Sequence, residues 1–211
     1  ALVEVEDTFF EHIQKGGIWI YPILFLAVIS FLVAIVKLLS MIKLREIAPA
    51  TITSVVGHLK AGEQAKASGD LEGINHPTAE ILQVGIDHAD LPRAALEEKL
   101  YERHLSLLPG LQRGLPFIAI AAATAPLLGL LGTVTGMIHT FQKITVFGTG
   151  DAKPLASGIS EALVTTEFGL IVAIPSLIAH ALLSRRAAGV RSNMEMSSLA
   201  FLNGIRPVES N

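Results

Sequence analysis

The 211-residue chain contains no cysteine. Disulfide bridges, thiolate metal centres and cysteine nucleophiles are therefore closed to it. Charge is scarce as well: Asp, Glu, Lys and Arg make up 17% of the residues, against about 25% in an average soluble domain. The formal net charge of −3 offers no basic surface for nucleic acid. The sequence has no internal repeat and no low-complexity tract. What it has in quantity is apolar: 51% hydrophobic residues and a mean hydropathy of +0.54, which point to a membrane. The chain starts at Ala1 rather than Met, so a signal peptide, leading domain or tag is expected to have preceded it.

A helix needs about 20 mostly apolar residues to cross the hydrocarbon core, and three stretches qualify. The first, residues 18–39, is uncharged from Ile18 to Val36 and then reaches Lys37. The second, 114–142, has His139 as its only ionisable residue. The third, 156–184, carries Glu161, Glu167 and His180 in otherwise apolar, small or hydroxyl-bearing surroundings. Spans two and three exceed the bilayer requirement and are expected to tilt or to project past the headgroups. Trp19 and Tyr21 stand where interfacial aromatics belong.

Lys and Arg placement sets the expected topology. Lys37, Lys43 and Arg45 follow span one, Arg103 and Arg113 precede span two, and Arg185, Arg186 and Arg191 follow span three. By the positive-inside rule, segment 40–113 and the tail 185–211 are cytoplasmic. The N-terminal segment 1–17, with Glu4, Glu6, Asp7 and Glu11, is then periplasmic. So is the loop 143–155, with turn formers Gly148, Gly150 and Pro154. Lys143 and Lys153 run against the rule but are outnumbered. Arg185 and Arg186 read as topology anchors that also suit anionic headgroups.

The cytoplasmic segment is broken by Pro49, Gly57, Gly69, Gly73, Pro77 and Pro92. Helical spacing predicts a short helix from near Thr78, with Ile81, Leu82 and Gly85 on one side. A longer one follows Pro92, with Leu96, Leu100, Leu107 and Leu111 in register and Asp90 as its N-cap. This last helix is expected to run directly into span two, bent at Pro109 or Pro116. His58, His76, His88 and His104 lack metal-ligand spacing and read as solvated. The expected fold is all-α: three transmembrane helices with long helical cytoplasmic extensions. The apolar mass of segment 40–113 is too small for an independent enzyme domain.

Two motifs stand out. Span two contains Thr124-Ala-Pro-Leu-Leu-Gly-Leu-Leu-Gly-Thr-Val-Thr-Gly136. Gly129, Gly132 and Gly136 are small helix-packing contacts, and the last two have GxxxG spacing. Gly169 plays the same part in span three. The glycine spacing is wrong for a dinucleotide fingerprint and no strand precedes it. Span three contains Gly158-Ile-Ser-Glu-Ala-Leu-Val-Thr-Thr166. At 3.6 residues per turn Ser157, Glu161 and Thr165 share a side, and Thr166 lies beside Thr165. Carboxylates at this depth must face a bundle interior, water or an interface edge.

Together, in this order and after a cytoplasmic segment of this size, the two motifs resemble the signature of the ExbB/TolQ/MotA family. The resemblance spans roughly residues 16–190, and three spans with the N-terminus outside are similar to ExbB and TolQ rather than to four-span MotA. It implies a homo-oligomer, a pentameric ring in which spans two and three enclose the single membrane helices of two ExbD-like partners. Protons would pass by way of a partner aspartate, and the movement would reach a TonB-like protein. By motif position Thr133 and Thr166 resemble the family's pore-lining threonines and Glu161 its glutamate at the outer end of span three. Glu167 departs from the apolar or small residue of ExbB proper and fits a divergent ExbB-like branch. No enzyme activity, metal, cofactor or nucleic acid is implied.

Each reading has a plainer rival. Thr133, Thr165 and Thr166 either line a proton path or bond their own backbone and neighbouring helices. Glu161 and Glu167 either serve that path or, respectively, face interfacial water and pair with a neighbouring cation. His139 and His180 are relay groups or interfacial hydrogen-bonders. Ser176 and His180 form an i, i+4 pair, yet no nucleophile elbow or oxyanion loop accompanies them. At the level of the whole chain, a non-conducting scaffold and a TolQ-like envelope role stand beside the channel. A self-sufficient transporter would need an inverted repeat that the sequence lacks.

Overall fold

The computed structural model describes residues 13, 16–44, 47–147 and 152–205. Among these every regular element is an α-helix: α1 (Ile20–Ile42), α2 (Pro49–Lys60), α3 (Gln64–Gly69), α4 (Pro77–Asp87), α5 (Arg93–Gln112), α6 (Leu115–Phe147) and α7 (Ala152–Ile205). Three helical stretches are long and apolar enough to cross a membrane; they contain α1, α6 and the first part of α7. Glu4, Glu6, Asp7, Glu11, Arg45, the turn glycines Gly148 and Gly150, and the tail beyond Ile205 lie outside the described residues.

The chain divides into two compact units, residues 1–36 with 114–182 and residues 37–113 with 183–211. In the first, α1 and α6 both pack on α7. Ile20 and Ile23 of α1 meet Val164, Phe168 and Val172 of α7, which recur every four residues and so form one stripe. Deeper along both helices the Ser30 and Ser176 hydroxyls bond each other at 3.2 Å in a buried contact. Ser176 thus serves the packing of α1 on α7. The 33 residues of α6 amount to about 50 Å at 1.5 Å each, against a hydrocarbon core of about 30 Å.

In the second unit, α2 to α5 and residues 183–205 of α7 share a core. Ile81, Leu82 and Ile86 of α4 pack with Leu96 and Leu100 of α5 and with Met194, Phe201 and Leu202 of α7. Gly85 permits the closest approach, since a Cβ there would overlap the Phe201 ring. The residues expected as a C-terminal tail are helical as far as Ile205 and belong to this core.

Two local expectations need correction. Pro92, not Asp90, occupies the N-cap position of α5. Nor does α5 bend into the next helix at a proline. It stops at Gln112, Arg113 turns to an extended ψ of 127°, and Gly114 adopts a left-handed φ of 86° before α6 begins. A left-handed residue breaks a right-handed helix, and glycine does so without a Cβ clash. Pro109 is carried inside α5, while Pro116 is the second residue of α6, where no helical N–H is lost. Lys37 closes the broken end: its Nζ donates to the Gly110 carbonyl at 2.9 Å, placing a cation at the negative end of α5.

The histidines also divide. His58 is half-buried, its Nδ1 3.0 Å from Glu63 Oε2. His76 and His104 are buried rather than solvated, at 3% and 6% exposure. His76 Nδ1 accepts from the Thr78 N–H at 3.1 Å and so caps α4. His104 Nε2 lies 3.5 Å from Glu195 Oε1. No group of three or more His, Cys, Asp or Glu suited to a metal occurs among the described residues.

Candidate functional site

The seam between α6 and α7 is built from small residues. A Cβ on Gly129 would sit 3.0 Å from Thr166 Cα, one on Gly136 3.1 Å from Ala162 Cβ, and one on Gly169 2.8 Å from the Ala125 carbonyl oxygen. A Cβ on Gly132 would overlap the Thr165 side chain. All four glycines named from the sequence therefore lie in one antiparallel seam, where helix backbones nearly touch.

The adjacent threonines of α7 point to different neighbours. Thr165 is buried. Its hydroxyl lies 2.7 Å from the Gly16 carbonyl and 2.8 Å from the Glu161 carbonyl, so one proton is shared between two acceptors. Thr166 crosses the seam instead and donates to the Gly129 carbonyl at 3.1 Å. Thr133 donates to the Leu130 carbonyl of its own helix at 2.7 Å. Each of these hydroxyl protons is thus taken by a backbone carbonyl. Each oxygen still has lone-pair capacity to accept from water or from a protonated carboxyl.

Helix geometry orders these side chains around the seam. The cluster that holds Ile20 and Ile23 of α1 takes in Ala125 of α6 and Val164 of α7, with Leu128 of α6 packed against it. At about 100° per residue, Thr133 lies about 140° around α6 from Leu128, and Thr166 about 200° around α7 from Val164. Both fall on the flank of the seam turned away from α1. Thr165 falls on the α1 flank and does not share a face with Thr166. That divergence is set by the 100° step and is hidden by adjacency in sequence.

Glu161 is half-buried beside the turn that leads into α1, with its carboxylate against Gly17. Glu167 is exposed on α7, among the exposed Leu163, Leu170, Ile171 and Ile174. His139 is exposed on α6 and His180 half-buried on α7. Reasoning from the sequence missed the Gly16–Gly17 turn as a partner of Thr165 and Glu161; a Gly-Gly pair just before an apolar span was the available signal.

Comparison with known proteins identifies the family. Residues 73–196 match the family described as the MotA/TolQ/ExbB proton channel family. The chain is 31% identical, over 80% of its length and 67% of the relative's, to a Synechocystis sp. protein named as biopolymer transport protein ExbB-like 1. It is 28% identical, over 79% of its length and 60% of the relative's, to a protein of Methanothermobacter thermautotrophicus named as an ExbB homolog. With the Tol-Pal system protein TolQ of Haemophilus influenzae it shares 32% identity over 49% of its length and 47% of the relative's. The chain thus spans from 47% to 67% of the length of these relatives. With three membrane-length apolar helices, a glycine seam between two of them and a family match over residues 73–196, the chain belongs to the MotA/TolQ/ExbB proton channel family.

Proposed function

We propose that this chain is the ring-forming subunit of an inner-membrane proton channel that energises a TonB-type outer-membrane transport system. The observation that carries the reading is the placement of Thr133 and Thr166 on one flank of the α6–α7 seam, opposite α1. When copies assemble as a ring with that flank inward, the Thr133 and Thr166 hydroxyls become a belt of acceptors around a central path. Five copies around two ExbD-like single-span partners suit the family resemblance, with a TonB-like protein as the recipient of movement. The partner supplies the carboxylic acid that carries the proton, and the hydroxyls of Thr133 and Thr166 accept hydrogen bonds from it or from water.

Glu167 supports assembly. A carboxylate on an arc of Leu163, Leu170 and Ile171 is expensive against lipid, so protein or pore water covers that arc in the working complex. The Lys and Arg distribution orients the N-terminus to the periplasm and the C-terminus to the cytoplasm. A TolQ-like envelope role is the second reading, favoured by the TolQ relative; the same channel would then feed a different recipient.

Native mass spectrometry of the detergent-extracted complex tests the assembly, with and without a co-expressed ExbD-like partner. Five copies that take up two partners are the expected result. A monomer or dimer indifferent to the partner removes the pore and leaves the scaffold reading.

A further inference from the structure

We propose that Glu161 and Thr165 are positioning residues: they seat the Gly16–Gly17 turn, and with it the outer end of α1, on α7, and they do not line the proton path. The inference rests on the channel reading and divides its residues by role. The Thr165 hydroxyl is buried and reaches the Gly16 carbonyl at 2.7 Å, a contact 149 positions distant in sequence. Gly17 holds a left-handed φ of 63°, and a Cβ there would overlap the Glu161 carboxylate. Two independent features of the turn, its backbone handedness and its missing side chain, thus fit these two residues of α7. Just below, Ile20 and Val164 continue the contact in the cluster of the first unit.

The direction of these groups separates them from the path. Thr165 and Val164 are neighbours on the α1 flank of the seam, whereas Thr166 bonds Gly129 on the other side. The Glu161 carboxylate is folded against Gly17, and the Thr165 hydroxyl proton is closed onto two carbonyls. Their loss should therefore act through the seating of α1, leaving the proton-binding groups unchanged.

The test is proton flux in vesicles carrying the full complex with its co-expressed partner, compared across four variants. Thr165→Val and Gly17→Ala should each cut flux about tenfold, the rate equivalent of one lost hydrogen bond, with the pH dependence of the residual flux unmoved. Gly17→Ala removes no hydroxyl and no ionisable group, so only a seating role makes it copy Thr165→Val. Because the chain has no cysteine, the pair Ser30→Cys and Ser176→Cys, whose hydroxyls stand 3.2 Å apart, introduces a lone disulfide tethering α1 to α7. Oxidation should restore most of the flux lost in Thr165→Val. A Gly17→Ala complex with wild-type flux, or a Thr165→Val complex whose pH profile shifts, overturns the proposal. Thr166→Val serves as the separate control: full flux in that variant counts against the channel path itself and leaves the seating question to the tether.

Discussion

Thr165 and Thr166 differ by one position and serve two neighbours, Gly16 and Gly129. The seam glycines leave no room for a side chain. Gly132→Val would drive a branched side chain into Thr165 and is expected to cost about 1–3 kcal/mol through overpacking; a lower melting temperature of the detergent-extracted complex measures it. At the surface, Glu63 is held below the usual carboxylate range chiefly by the Lys66 ammonium and then by His58. A depressed carboxylate contributes stability above its unfolded pKa and loses it as pH falls through its folded one. Acidification below about pH 4 should loosen the α2–α3 corner, and Glu63→Gln should flatten that part of the stability profile. Hydrogen exchange at the amides of residues 58–66 reads both. An exposed pair of this kind makes only a small contribution.

Among the elements, the break between α5 and α6 carries the most local information. Gly114→Ala places a Cβ at positive φ and 2.8 Å from Val33 Cγ1. It should destabilise the fold by about 1–2 kcal/mol from backbone handedness alone. Lys37→Met removes the cation that closes α5 at Gly110 and should cost about 1 kcal/mol, seen as faster exchange of the last-turn amides of α5. The helices themselves were legible in the sequence because uncharged runs and four-residue leucine spacing are strong periodic signals. The break was not, because Pro109 and Pro116 draw attention from a glycine whose φ no sequence displays. The burial of His76 and His104 was equally hidden: each depends on the packing of distant helices, and a lone histidine looks the same on either face.

Across the molecule, residues 183–205 of α7 complete the core of the second unit, and Phe201, fully buried against Gly85, is its largest buried side chain. Phe201→Ala should cost about 3–5 kcal/mol, read as a lowered unfolding midpoint. The family was legible from two short motifs, and the glycine seam that they form is what their spacing implies. The division of the candidate residues between the two flanks was not legible, since it depends on where α1 lies. The central claim, a proton path on the Thr133 and Thr166 flank, is tested most directly by proton flux into vesicles containing the complex with its partner, wild type beside Thr166→Val. The expected result is flux in the wild type and a loss of about tenfold in the variant, with the mass of the assembly unchanged. Equal flux in both, or none in the wild-type complex, would contradict it.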